Sequence, residues 1–226
     1  MPIGIATTII ATILYLTVRI DGFALFGPLM KMTASTGFLV TAMSAGARQS
    51  RFGQVLFVGL IFSWFGDLFL IGSGANYFLA GLVAFFLGHV SYSIAYVIHR
   101  GNLKWSAAAL AALLVPGYFL AQWILPHVKD PFMRGPVIAY MGVISIMLSL
   151  ALGCLKRPGG VWMAVGAFLF YLSDICVARG AFVAPGEAIN SRIGLPLYFG
   201  GQLVLAVSIA YAMSRPVPSS PAPQSA

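Results

Sequence analysis

The sequence predicts an all-α membrane protein, a polytopic transmembrane bundle of eight helices. Three observations lead there. Of the 226 residues, 60% are hydrophobic and only 8% are charged, whereas about a quarter of the residues in an ordinary soluble domain carry charge. The chain divides into successive apolar runs near the roughly 20 residues that cross a bilayer. Short loops with Gly, Pro and most of the Lys and Arg separate those runs.

In chain order, the first run is Ile3–Val18. It has no positive leader and no small-residue cleavage site before Arg19 and Asp21. It therefore reads as a retained helix and not a signal peptide, short enough to require tilt or local thinning. Helix 2, Ala24–Met43, carries Lys31 within PLMKMTAS. Helix 3, Gly53–Ile71, carries Asp67 within LIFSWFGDLFL. Gly72, Ser73 and Gly74 end it, and helix 4 follows over Tyr77–Ile98. Its segment FLGHVSYSIAY puts His89, Tyr92, Ser93 and Tyr96 on one polar-aromatic stripe.

Gly101-Asn102 leads into helix 5, Trp105–Leu125. Helix 6 is Pro136–Leu155, with Tyr140 where Lys31 stands in the first half. After Pro158-Gly159-Gly160 comes helix 7, Val161–Arg179, whose AFLFYLSDICV holds Ser173 and Asp174. Pro185-Gly186 precedes helix 8, Ile193–Met213, with Tyr198 and Gln202 one turn apart. The tail, PVPSSPAPQSA from Pro216, reads as disordered. The expected organisation is one helical domain over residues 1–215 and a tail over 216–226.

The net charge of +8 does not point to nucleic acid. The basic residues lie mostly in the loops, as orientation signals do, with no basic-aromatic cluster. Arg48, Arg51, Arg100, Lys104, Lys156, Arg157 and Arg215 fall on the side of both termini. Arg19, Lys129, Arg134, Arg179 and Arg192 fall on the other, mixed with Asp21, Asp130 and Glu187. This bias favours both termini inside. Alanine, glycine and arginine usage suggests a bacterium and hence its cytoplasmic membrane. Cys154 and Cys176, both in apolar runs, read as small packing residues. No P-loop, G-x-S-x-G, H-E-x-x-H, haem or zinc spacing occurs, so neither a metal nor a cofactor is expected.

The candidate site rests on two intramembrane carboxylates. Placing one at mid-bilayer costs roughly 2.5–3.5 kcal/mol, so it faces protein or a wet cavity and usually has a task. Asp67 and Asp174 sit in matching helices of two parallel four-helix halves, in the shared pattern aromatic-x-x-small-Asp-apolar. Both lie about 6–8 Å from the midplane on the same side. Ser63 shares the face of Asp67 at i, i+4. Lys31, at similar depth, is either a counter-ion for an aspartate, a grip on a lipid phosphate or a snorkelling lysine.

Together Lys31, SWFGDLFL, GLVAFFLGHVSY, LFYLSD and LYFGGQ resemble the YhhN-like family of eight-helix membrane proteins, which includes lysoplasmalogenases. One departure is Met32, where the family usually has proline after the lysine. The resemblance implies hydrolysis of the vinyl ether bond of a lysophospholipid substrate within the bilayer, to a fatty aldehyde and a glycerophospho-ethanolamine or -choline. It makes Asp67 and Asp174 the catalytic pair and Lys31, Ser63, His89, Tyr92, Ser173, Tyr198 and Gln202 the site lining. Two other readings fit the same residues. One is a transporter relaying protons through the aspartates, which Pro28 and Pro116 disfavour because they occupy unmatched positions. The other is a lipid-binding protein without catalysis.

Overall fold

Helix starts are written into the chain as caps. Ser50 accepts a hydrogen bond from the Gly53 amide (3.0 Å), so α3 begins at Arg51. Asn102 accepts from the amides of Lys104 and Trp105. Asp130 accepts from Phe132, with Pro131 in the first helical turn. Each cap satisfies an amide that lacks an intrahelical acceptor. In the computed structural model, which describes residues 1–18, 23–186 and 188–213, the helices are α1 (Pro2–Thr17), α2 (Phe26–Ser44), α3 (Arg51–Phe69), α4 (Ala75–Ile98), α5 (Leu103–Ile124), α6 (Pro131–Gly153), α7 (Gly160–Ala178) and α8 (Ala188–Met213). Arg19, Asp21, Glu187, Arg215 and the proline-rich tail lie outside the described residues.

The sequence placed all eight helices, but two starts move by five residues. Helix α6 begins at Pro131 and not Pro136, because the Asp130 cap precedes a proline that needs no amide partner. Helix α8 begins at Ala188 and carries Pro196 inside it. A π-helical turn, Arg179–Val183, prolongs α7.

Six helical segments among the described residues are long and apolar enough to cross a membrane. Of the remaining two, α1 has 16 residues, and α2 carries Lys31 and a row of hydroxyls. This is a multi-pass membrane architecture.

Packing repeats between the halves. Helix α3 pairs with α4, and α7 pairs with α8. Helix α2 touches α3 and α8, while α6 touches α7 and α4, so exchanging the halves maps one contact set onto the other. The tight crossings match too. A Cβ on Gly88 would press on the Gly59 carbonyl, and one on Gly201 on the Gly166 carbonyl at 3.0 Å. Gly59 and Gly166 each lie two turns before their aspartate. Close backbone approach through small residues is how helices pack where lipid removes the hydrophobic drive.

The repeat breaks at the outer helices. Helix α1 seats closely on α2, with Thr8 Oγ1 donating to the Ala34 carbonyl (3.0 Å), and also touches α8. Helix α5 packs mainly on α6, and buries only Ser106 and Ile124. Ser106 sits tightly against Gly153 at one end. Ile124, Val128, Met133 and Val137 form a small core at the other. Between these ends α5 reaches the main core through Leu113 and Leu120, and a cavity lies beneath it.

Candidate active site

Asp67 lies in the last turn of α3, where carbonyls run out of helical partners. Lys31, on α2, occupies that end. Its Nζ is 3.2 Å from the Asp67 carbonyl oxygen and 3.4 Å from Asp67 Oδ1. Two hydroxyls complete the carboxylate. Ser35 donates to Oδ2 at 2.6 Å, and Tyr198, from α8, donates to the same oxygen at 2.7 Å. With Asp67 only 2% exposed, three donors from two other helices replace its water. A buried carboxylate is tolerated only with such partners.

Asp174 is built from the corresponding helices of the second half. Tyr140 on α6 donates to its Oδ2 at 2.8 Å. His89 on α4 places Nε2 at 3.2 Å from Oδ2 and 3.0 Å from the Tyr140 hydroxyl. Since Tyr140 spends its proton on Asp174, its oxygen is free to accept from an Nε2–H. The imidazole Nδ1 is buried with no partner among the described residues, which suits the tautomer whose proton is on Nε2. The two half-sites thus draw on α2, α3 and α8, and on α6, α7 and α4. Lys31 and Tyr140 stand in equivalent places, one a cation and the other a neutral donor.

An aromatic layer separates the half-sites. Phe170 lies 4.5 Å from the His89 ring and 5.3 Å from the Tyr198 ring, with Phe85 edge-on to Phe170 and Tyr198. Among the described residues no hydrogen bond joins the two carboxylates. Lys31, Asp67, Tyr140, Asp174 and Tyr198 all line one cavity of 1020 Å³, at the upper end of the roughly 300–1,000 Å³ common for small-molecule sites. The remainder of its wall is overwhelmingly aliphatic and aromatic, with α5 along one side.

The other residues singled out in the sequence sit behind this wall. Ser63 Oγ is 3.1 Å from the Tyr92 hydroxyl, and Tyr92 donates to Gln202 Oε1 at 2.8 Å. This buried trio supports Tyr198, whose hydroxyl is also 3.4 Å from the Ser63 carbonyl. It does not line the cavity. Ser173 is spent locally, donating to the Phe170 carbonyl at 2.8 Å, so it joins neither half-site. Sequence reading passed over Ser35, although its spacing of one turn from Lys31 on the same face of α2 was a usable signal.

The YhhN family model matches residues 26–209, which contain every side chain of both half-sites. The chain is 28% identical over 224 residues to "Lysoplasmalogenase" of Mycobacterium tuberculosis (strain CDC 1551 / Oshkosh), covering 97% of this chain and 83% of that one. It is 29% identical over 178 residues to "Lysoplasmalogenase TMEM86A" of Bos taurus, covering 76% of this chain and 68% of the relative. The corresponding Homo sapiens protein is 30% identical over 159 residues, 68% of this chain and 64% of its own. No solved structure matches the chain.

Proposed function

We propose, from the premise that this chain belongs to the YhhN family, that it is a lysoplasmalogenase-like hydrolase. It cleaves the vinyl ether bond of an alkenyl lysophospholipid taken from the surrounding membrane lipids. The products are a fatty aldehyde and a glycerophospho-ethanolamine or -choline. The observation that carries the reading is the pair of carboxylates on one apolar cavity, each held by a different set of donors.

A vinyl ether is inert to direct attack by water. Hydrolysis begins with a proton added to the alkene carbon remote from oxygen, which leaves an oxocarbenium ion. Water then adds to the cationic carbon and loses a proton, and the resulting hemiacetal expels the glycerol alcohol as the aldehyde forms. The balance is one alkenyl ether and one water to one aldehyde and one alcohol. The first step needs a positioned acid, and the second a carboxylate that steadies the cation and accepts a proton.

The different donor sets divide these tasks. Asp67, facing the Lys31 ammonium and two hydroxyls, acts as the carboxylate. Among the described residues, Asp174 is partnered by the neutral Tyr140 hydroxyl and His89. It acts as the acid through Oδ1, while Oδ2 accepts from Tyr140 and faces His89 Nε2, which fix the carboxyl in place. Both lie near one end of the bundle, so the alkenyl chain occupies the apolar cavity while the headgroup stays toward the loops. Given both termini inside, that end belongs to the outer leaflet.

The test is aldehyde release from a lysoplasmalogen by purified protein, compared with Asp67→Asn, Asp174→Asn and Tyr140→Phe. The two Asn variants are expected to lose at least about a thousandfold in kcat while still unfolding cooperatively. Tyr140→Phe, which removes one donor, should lose about ten- to a hundredfold, mainly in kcat. Turnover within tenfold of the parent in a folded Asn variant would remove that aspartate from the chemistry.

A further inference from the structure

Most of the interhelical glycines in this bundle have a steric reason. At Gly4, Gly37, Gly59 and Gly166 an added Cβ would strike a neighbouring helix. Gly117 on α5 and Gly142 on α6 differ. A Cβ at either would meet nothing within 4 Å, and both line the cavity. Glycine inside a helix costs stability relative to almost any residue but proline. Gly135 and Gly200 are as uncrowded, but Gly117 and Gly142 are the two of these four on the cavity wall, which calls for an explanation of their own.

Their place in the fold supplies one. Helices α5 and α6 pack together at Ser106 and Gly153 and again at the Ile124 core, and between these ends residues of both line the cavity. Gly117, half-buried, and Gly142, exposed, stand in that section, and Gly142 lies two residues along α6 from Tyr140, which is bonded to Asp174. The cavity wall on α5 runs from Leu110 to Ile124, about 21 Å at 1.5 Å per residue. One leaflet's hydrocarbon is about 15 Å deep, half of a roughly 30 Å core, so the slot is long enough for a full lipid chain laid along α5. No polar side chain of either half-site stands on α5, so this wall meets only the chain.

We propose that Gly117 and Gly142 determine which alkenyl chains the enzyme accepts. They keep the space between α5 and α6 open beyond the reacting bond, so that a long chain passes between the two helices. This rests on the hydrolase reading for its substrate class, but the geometry concerns any single-chain phospholipid. A larger side chain at either position would project into unoccupied space and not into a neighbouring helix. Such a variant should keep its fold and its half-sites, and lose only the long chains.

The experiment uses Gly117→Leu and Gly142→Leu of the full chain in nanodiscs. Gly135→Leu and Gly200→Leu are controls, since those glycines also have nothing within 4 Å but stand away from the cavity lining. The probes are saturated 1-O-alkyl lysophosphatidylcholines with 8-, 12- and 18-carbon chains. These cannot be hydrolysed, and their binding is read as a shift in Tm. Turnover of the matching alkenyl lipids is measured in parallel.

In the Gly117 and Gly142 variants, 18-carbon binding and kcat/KM should fall at least about tenfold, with 8-carbon values within about twofold of the parent; a pocket discriminates chain increments on this scale. The controls should match the parent at every length. Equal losses at all lengths, or an unchanged 18-carbon response, would overturn the proposal. Length-selective binding without turnover of any alkenyl lipid would retain the slot and sink the hydrolase reading. A parent that binds none of the probes would sink the slot.

Discussion

Replacing Lys31 with Met tests whether the Asp67 half-site is an ion pair held for a purpose. The ammonium lies 3.4 Å from Oδ1 with both side chains nearly buried. At an effective dielectric of 20 that separation gives about 5 kcal/mol of gross attraction. Much of it is offset by removing both charges from water. The hydroxyls of Ser35 and Tyr198 remain on Oδ2 in the variant, so Asp67 is not stripped bare. A loss of about 3 kcal/mol of stability is expected, at the low end of the roughly 3–5 kcal/mol for breaking a buried pair. The Asp67 carbonyl loses its Lys31 donor as well. Asp67→Asn should cost less, about 1–2 kcal/mol, because the amide keeps an acceptor for both hydroxyls. In the double variant no charge is left uncompensated, so the two losses should fall short of adding by about 2 kcal/mol. The assay is unfolding of the four proteins of this cycle in one detergent, followed by circular dichroism and alkenyl lipid turnover. Additivity within about 0.5 kcal/mol would refute the ion pair as a stabilising unit. If the coupling is found but Lys31→Met keeps its parental kcat, the carboxylate role assigned to Asp67 fails.

Two further outcomes follow from the packing and the loops. Gly166→Leu should unfold the protein or lower its Tm sharply, since the added side chain would drive into Leu205 and the α8 backbone at Gly201. A thermal melt within a few degrees of the parent would contradict the crossing described here. His99, just past the end of α4, has its imidazole held below its ordinary value of 6.5, chiefly by burial and also by Arg157, against a hydrogen bond to the Pro158 carbonyl. Its neutral form is therefore favoured by folding. Stability from this group is complete above pH 6.5 and declines as pH falls below it, while the unfolded chain takes up the proton first. Stability measured from pH 7.5 down to 5 should fall, and His99→Gln should flatten that fall. An equal slope in both proteins would show that His99 is not the group.

What could be read from the sequence follows from the solvent. In a bilayer every span must be a long apolar helix with its backbone bonds satisfied internally, so hydropathy and breakers alone gave eight helices in their correct order. The same penalty made Asp67, Asp174 and Lys31 conspicuous, because lipid charges heavily for each ionic group that has no task. Spacing on one helix reached Ser63, and would have reached Ser35 had it been applied to Lys31. The family resemblance rested on these local segments, which a chain keeps together whatever its tertiary arrangement.

Contacts between helices lay beyond that reach. Helical periodicity gives the face a side chain occupies but not which helix lies opposite, and this decided the site. Lys31 went to Asp67 and Tyr140 to Asp174, so two similar carboxylates received a cation in one case and a neutral donor in the other. Ser173, adjacent to Asp174 in sequence, turned its hydroxyl back to the Phe170 carbonyl, since neighbours on a helix point about 100° apart. Gly59 and Gly142 look alike in the sequence, both glycines within apolar helices. Only the packing distinguishes them, because one has a helix against it and the other an open cavity. Sequence by itself determined which groups are costly enough to need partners, and tertiary structure decided which partner each received.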